Sequence, residues 1–226
     1  MRQDWSRRAV AEFVGAFALS FVGIAAIEIS HGDLVSVAFA HGLAIAVMVS
    51  AVGHISGGHF NPAITFAFWV TRRIETLGAV VYWVAQFGGA VVAALALRWL
   101  YPSGTLTHGV PAVATSVISP GEAMVLEAIL TFFLVNAVMN AGISGKATIP
   151  GGLAIGLTLT FCILMGGPLT GASLNPARSI GPAVATGDFT NLWVYLVGPA
   201  IGGLAAGLLY KSLFEERAVP HPGKKR

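Results

Sequence analysis

The sequence predicts an all-α membrane protein with six transmembrane helices plus two half-helices in inverted repeat. Three observations predict it: the composition, six apolar stretches of span length, and a set of landmarks that recurs along the chain. Of 226 residues, 55% are hydrophobic and only 10% charged. A soluble domain carries about a quarter charged residues. Too few charges remain to cover a water-facing surface, so lipid is the solvent for much of it. The 28 glycines fit this, because small residues let membrane helices approach closely. The single cysteine, Cys162, excludes an internal disulfide and any multi-cysteine metal site.

The first apolar run follows Arg2, Arg7 and Arg8, as a secretory signal would. Glu12 interrupts it and no clear small-residue cleavage site follows, so it reads as a retained first span. A spanning helix needs about 20 mainly apolar residues. Residues 9–28 and 34–54 supply the first two spans. A short segment of some ten residues then begins at Asn61. Spans follow at 77–99, 121–141 and 149–167, a second short segment begins at Asn175, and 191–213 completes the set. Ten helical residues rise about 15 Å, half of a ~30 Å hydrocarbon core, so the short segments cannot span.

Each short segment starts with a helix-initiating pair. Asn is a favoured N-cap, and Pro suits the first helical position because the N–H it lacks would go unpaired there. Asn61-Pro62 and Asn175-Pro176 therefore open half-helices. The stretches leading in, 53–60 and 166–174, are rich in glycine and read as extended backbone. Such backbone survives at membrane depth only where protein buries it or it lines a watery cavity. It predicts a polar stripe of carbonyls along an otherwise apolar wall.

The landmarks form an internal repeat. Asn61-Pro62-Ala63 recurs as Asn175-Pro176-Ala177, 114 residues on. Glu12 matches Glu127, Tyr82 matches Tyr195, and Gly42-Leu43-Ala44-Ile45 reappears as Gly152-Leu153-Ala154-Ile155. Repeat one covers about 9–99 and repeat two about 121–213, within one channel domain of 1–226. Three spans per copy is an odd number, so the copies lie upside down to one another, with the functional site near the bilayer midplane. With both ends cytoplasmic, eleven of the thirteen basic residues fall on inner loops and tails, as the positive-inside rule expects. Arg98 and Arg178 are the exceptions. The basic end Lys224-Lys225-Arg226 reads as an orientation and anionic-lipid signal, not a nucleic-acid patch.

Inverted symmetry brings the two half-helices in from opposite sides, with both positive ends at the centre. There the amides of Asn61 and Asn175 would donate to one water oxygen and turn its hydrogens outward. Orientation and field would then both oppose a proton wire. The blander reading is that each motif only caps a buried helix. It weakens when two motifs stand at repeat positions.

These residues resemble the aquaporin, or major intrinsic protein, family over nearly the whole chain. The resemblance rests on the paired Glu, on Ser56-Gly57-Gly58-His59-Phe60-Asn61-Pro62-Ala63 and on Asn175-Pro176-Ala177-Arg178-Ser179. It implies a separate pore in each subunit of a homotetramer. It also implies a selectivity filter at His41, Ile163, Ala172 and Arg178, a set similar to that of plant tonoplast intrinsic proteins. In some of those relatives a loop histidine joins the filter. His108 is the matching residue, and a solvated loop position is its other reading. Ser179 stands where glycerol facilitators of the family typically carry Asp.

Charge in a membrane helix is costly and normally faces a cavity, which supports Arg178 independently of the resemblance. His41 has a second reading as a helix–helix hydrogen-bonding partner. Glu12 and Glu127 are expected to brace the irregular loop of their own repeat, and His59 to line the cytoplasmic vestibule. The expected activity is passive passage of water, excluding protons and ions, with ammonia or other small neutral solutes as further permeants. The alternatives are a glycerol or small-polyol facilitator and a gradient-coupled secondary transporter, which would need coupling groups that are not evident. No metal, cofactor or enzymatic constellation is expected. A cell membrane fits the compact termini, and a vacuolar membrane fits the filter.

Overall fold

The computed structural model describes residues 4–101, 109–143 and 148–215. Among them are eight α-helices: α1 (Trp5–Ile29), α2 (Leu34–Ser56), α3 (Pro62–Val70), α4 (Thr76–Leu100), α5 (Pro120–Ala137), α6 (Gly151–Thr170), α7 (Pro176–Thr186) and α8 (Val194–Leu209). π-helical turns extend α5 over Val138–Ile143 and α8 over Tyr210–Phe214. Six of these helices are long and apolar enough to cross a membrane. The half-helices α3 and α7, of 9 and 11 residues, are too short.

Capping sets the boundaries. Asp4, Asp33 and Ser119 each accept a backbone N–H in the first turn of α1, α2 and α5, and Ser119 completes a capping box with Glu122. Asn61 and Asn175 do the same for α3 and α7, with Pro at the first helical position. Glycines in the left-handed region, Gly57 and Gly171, end α2 and α6. These ends come later than expected. Residues 53–56 and 166–170 are helical, Pro168 included, so the extended stretches shrink to 57–60 and 171–174. A helix satisfies its own carbonyls, so it persists in an apolar environment until glycine offers an exit.

The helices pair across and within the halves: α1 on α4, α5 on α8, and α2 on α6, with α7 against α4 and α3 against α8. The α2–α6 crossing is reciprocal. A Cβ on Gly42 would meet the Gly156 carbonyl and Thr160 Oγ1, while one on Gly156 would meet the Gly42 carbonyl and Ala46. Backbone approach this close is open only to glycine. The same reciprocity corrects the repeat alignment: Gly42 faces Gly156, one helical turn beyond the Gly152 that the shared Gly-Leu-Ala-Ile text suggests. Local sequence identity there is a slip of four residues that keeps the same helix face.

One face of the molecule carries the start of α1 and the end of α8. Trp5 packs edge-on to Tyr82 near the start of α4. Arg73, between α3 and α4, pairs with Glu215 at 2.7 Å and lies over the Tyr210 ring. Val84, Trp99, Phe133 and other large apolar side chains are exposed on the helix exteriors, as a lipid-facing surface requires.

Candidate functional site

Residues 57–60 and 171–174 run back from the ends of α2 and α6 to the two half-helices. Their backbone cannot form a ladder, so its N–H groups need other acceptors. Two buried carboxylates provide them. Glu12 Oε1 accepts from Ser56 Oγ at 2.6 Å and the His59 N–H at 2.9 Å. Its Oε2 accepts from the Phe60 N–H at 2.6 Å and Gln86 Nε2 at 2.7 Å. Glu127 Oε1 accepts from Thr170 Oγ1 at 2.7 Å and the Ser173 N–H at 3.0 Å, and Oε2 from the Leu174 N–H at 2.8 Å. Each hydroxyl in turn accepts an N–H, Gly58 to Ser56 and Ala172 to Thr170. Every partner of Glu12 is a donor, the pattern an ionised carboxylate completes. Tyr82 and Tyr195 add a matching pair, donating their hydroxyls to the carbonyls of Ser56 and Thr170.

The loops are held in an uncommon conformation. Phe60, Ala172 and Leu174 have φ of +50°, +43° and +55°, in the left-handed region that side chains other than glycine seldom enter. Strain of this kind persists only where surrounding bonds over-determine it. Here the carboxylates do so.

At the centre the half-helices meet through their caps. Asn61 Nδ2 donates to the Leu174 carbonyl at 2.8 Å, and Asn175 Nδ2 donates to the Phe60 carbonyl at 3.0 Å. Their Oδ1 atoms accept the N–H of Ala63 and Ala177. Each NH2 has two hydrogens, so one is spent on the opposite loop and one is left for a molecule beside it. The carbonyls of Phe60 and Leu174 are correspondingly occupied, which shortens the expected polar stripe.

Beside this junction lies a cavity of about 20 Å³. That is enough for roughly one water, which needs about 10–15 Å³. Its polar wall is formed by His59, Asn61, Ser173, Asn175 and Arg178, and its apolar wall by Leu19, Ile45, Leu134, Ile155 and Leu159. A wider vestibule of about 320 Å³ also borders Arg178 and is lined by Ile27, Leu34, Val37, Pro111 and Ile163. Arg178 borders both spaces, the wide and the narrow.

Arg178 is buried. Its Nε donates to His41 Nε2 at 2.9 Å, and His41 Nδ1 lies 2.8 Å from the Val37 carbonyl. The arginine can only donate, so His41 is the tautomer with its hydrogen on Nδ1. Arg178 Nη1 is buried and has no hydrogen-bond partner among the described residues. Ile163 and Arg178 line the vestibule, whereas His41 and Ala172 are buried and line neither cavity. His108 lies outside the described residues. His59 lines the narrow cavity, where its Nδ1 meets Thr65 Oγ1 at 3.0 Å.

Four residues have supporting roles that escaped the sequence reading. Gln86 bridges Glu12 and Thr65, and a buried amide inside an apolar span is the signal that marks it. Tyr82 and Tyr195 served only as repeat landmarks. Arg98, an exception to the charge rule, donates to the Ala185 carbonyl in the last turn of α7, where a cation suits the negative helix end.

The family model described as "Major intrinsic protein" matches residues 1–210. Aquaporin TIP2-1 of Zea mays is 43% identical over 221 residues, covering 91% of this chain and 86% of its own length. Glycerol uptake facilitator protein-like 6 of Lactiplantibacillus plantarum is 40% identical over 215 residues, covering 93% and 99%. Among solved structures, the aquaglyceroporin from Plasmodium falciparum superposes with a TM-score of 0.84 at 26% identity, covering 93% of this chain and 97% of its own.

Proposed function

The chain belongs to the major intrinsic protein family, and from that premise we propose that its pore passes water while excluding protons and ions. Membership makes it an integral, multi-pass, non-enzymatic channel for water or small solutes. The observation that carries the finer reading is the reciprocal bonding of Asn61 and Asn175 beside a cavity one water wide. Two positive helix ends and two free amide hydrogens there favour a water oxygen over a cation. A water so held turns its hydrogens away from the junction, and a chain of donors reversed at its middle does not relay protons. Leu19, Ile45 and Leu159 opposite offer no competing acceptor.

Selectivity is assigned to His41, Ile163, Ala172 and Arg178, with the Arg178 guanidinium as the donor presented to the permeant. Ammonia and other small neutral solutes are proposed as further permeants. Basic residues on the terminal face, such as Arg7, Arg8, Arg72 and Lys211, support the reading that both termini are cytoplasmic. A homotetramer in a cell membrane is the proposed assembly, with each subunit a single channel domain. The largely apolar 320 Å³ vestibule favours a second reading, a glycerol or small-polyol facilitator.

Stopped-flow light scattering on proteoliposomes, with water, glycerol and ammonia in parallel, separates these readings. Fast water flux with no dependence on a sodium or proton gradient is expected. His41→Ala should raise glycerol passage relative to water, and Ala172→Phe should lower it. If neither variant changes selectivity, the filter assignment is wrong, and gradient-dependent flux would revive a coupled transporter.

A further inference from the structure

We infer that Gly23, on α1, is a positioning residue for selectivity: its missing side chain is the seat of the His41 ring that tethers Arg178. Gly23 is buried in the face of α1 that packs on α2. A Cβ built on it would fall on the His41 imidazole, against Nε2 and within 2.6 Å of Cδ2 and 2.7 Å of Cε1. Real Cβ atoms never sit this close, so any side chain here displaces the ring. The ring atom it strikes hardest, Nε2, is the one that accepts from Arg178 Nε. The opposite edge is held to the Val37 carbonyl, so the ring cannot yield without breaking one bond or the other.

Among the described residues, that bond from Nε is the hydrogen bond holding the Arg178 side chain, and Nη1 has none. Arg178 lines both the wide space and the narrow one. A ring pushed off α1 is carried out of line with the guanidinium, which loses its tether and is free to lean into the passage. Solutes wider than water are affected most, since they need the full width. Gly23 thus sets the filter from behind, without touching the lumen.

This inference rests on the filter reading above, and its test keeps the two apart. Glycerol and water permeabilities are measured by stopped flow for wild type, Gly23→Ala, His41→Ala and the double variant. Gly23→Ala should lower the glycerol-to-water ratio by about threefold or more, the scale expected from overpacking a well-filled site. His41→Ala should raise it. In the double variant the imidazole is gone, so the methyl added on α1 has nothing to displace and the ratio should match His41→Ala alone. A wild-type ratio in Gly23→Ala, with His41→Ala shifted, overturns the role of Gly23 and leaves the filter standing. No shift in His41→Ala overturns the filter itself. If Gly23→Ala fails to reach the membrane, recovery of the double variant supports the inference, and failure of both overturns it.

Discussion

The two re-entrant loops are built to one plan, yet the second is followed by a buried cation that lines both cavities and the first is not. In both, a buried glutamate from the first helix of the repeat accepts the N–H groups of the two residues preceding Asn-Pro-Ala. In both, a hydroxyl and a tyrosine complete the frame. The difference lies in the supports. Glu12 has a fourth donor, Gln86, and the first loop has glycine at Gly58 where the second has Ala172. The second loop lacks that amide but is followed by Arg178, tied across to α2 through His41. One loop is the better braced, and the other spends its freedom on a cation beside the lumen.

Removing either carboxylate should have the largest effect. Glu12→Ala leaves four donors without their acceptor and Glu127→Ala leaves three. At about 1–3 kcal/mol per unsatisfied buried group, both are expected to abolish the folded channel. The loss should be greater for Glu12. Thermal melting followed by size exclusion in detergent reads it, and a well-folded Glu12→Ala protein would break the comparison.

Arg178→Lys comes next. Lysine keeps the charge but not the planar fork or the Nε donor that reaches His41. Water flux should persist while glycerol discrimination changes, with little loss of stability. Equal damage to both would show that Arg178 serves the loop and not the passage. Gln86→Leu should act on the first loop only, costing about 1.5–3 kcal/mol as a lost hydrogen bond to a charged group, without altering selectivity. Smallest are the exchanges at the corresponding strained position. Gly58→Ala should destabilise by about 1–2 kcal/mol, the cost of a Cβ in the left-handed region, and Ala172→Gly should relieve a similar amount. Melting temperatures moving in opposite directions would support the equivalence of the two loops.

Much of this plan was legible in the chain because it depends on local rules. Asn before Pro starts a helix whatever surrounds it, so both half-helices begin where the sequence predicts. Spans follow from length and apolarity, and all six are found. Contacts made across the repeat axis were not legible. The Asn61 and Asn175 amides reach the opposite loop's carbonyls, and no spacing within one segment encodes that reach. The Gly42–Gly156 crossing was obscured for a related reason, since a four-residue slip preserves the helix face and therefore the apolar pattern. The partner of Arg98 is likewise set by how α4 lies against α7.

Water and proton fluxes measured together in the same proteoliposomes test the central claim most directly. Light scattering reports the first and an internal pH dye the second. If the opposed half-helices hold a water oxygen between their amides, shrinkage should be fast while the proton rate stays at that of protein-free vesicles. Proton flux that rises in step with water flux would contradict it, because an unbroken donor chain would then run through the Asn61–Asn175 junction.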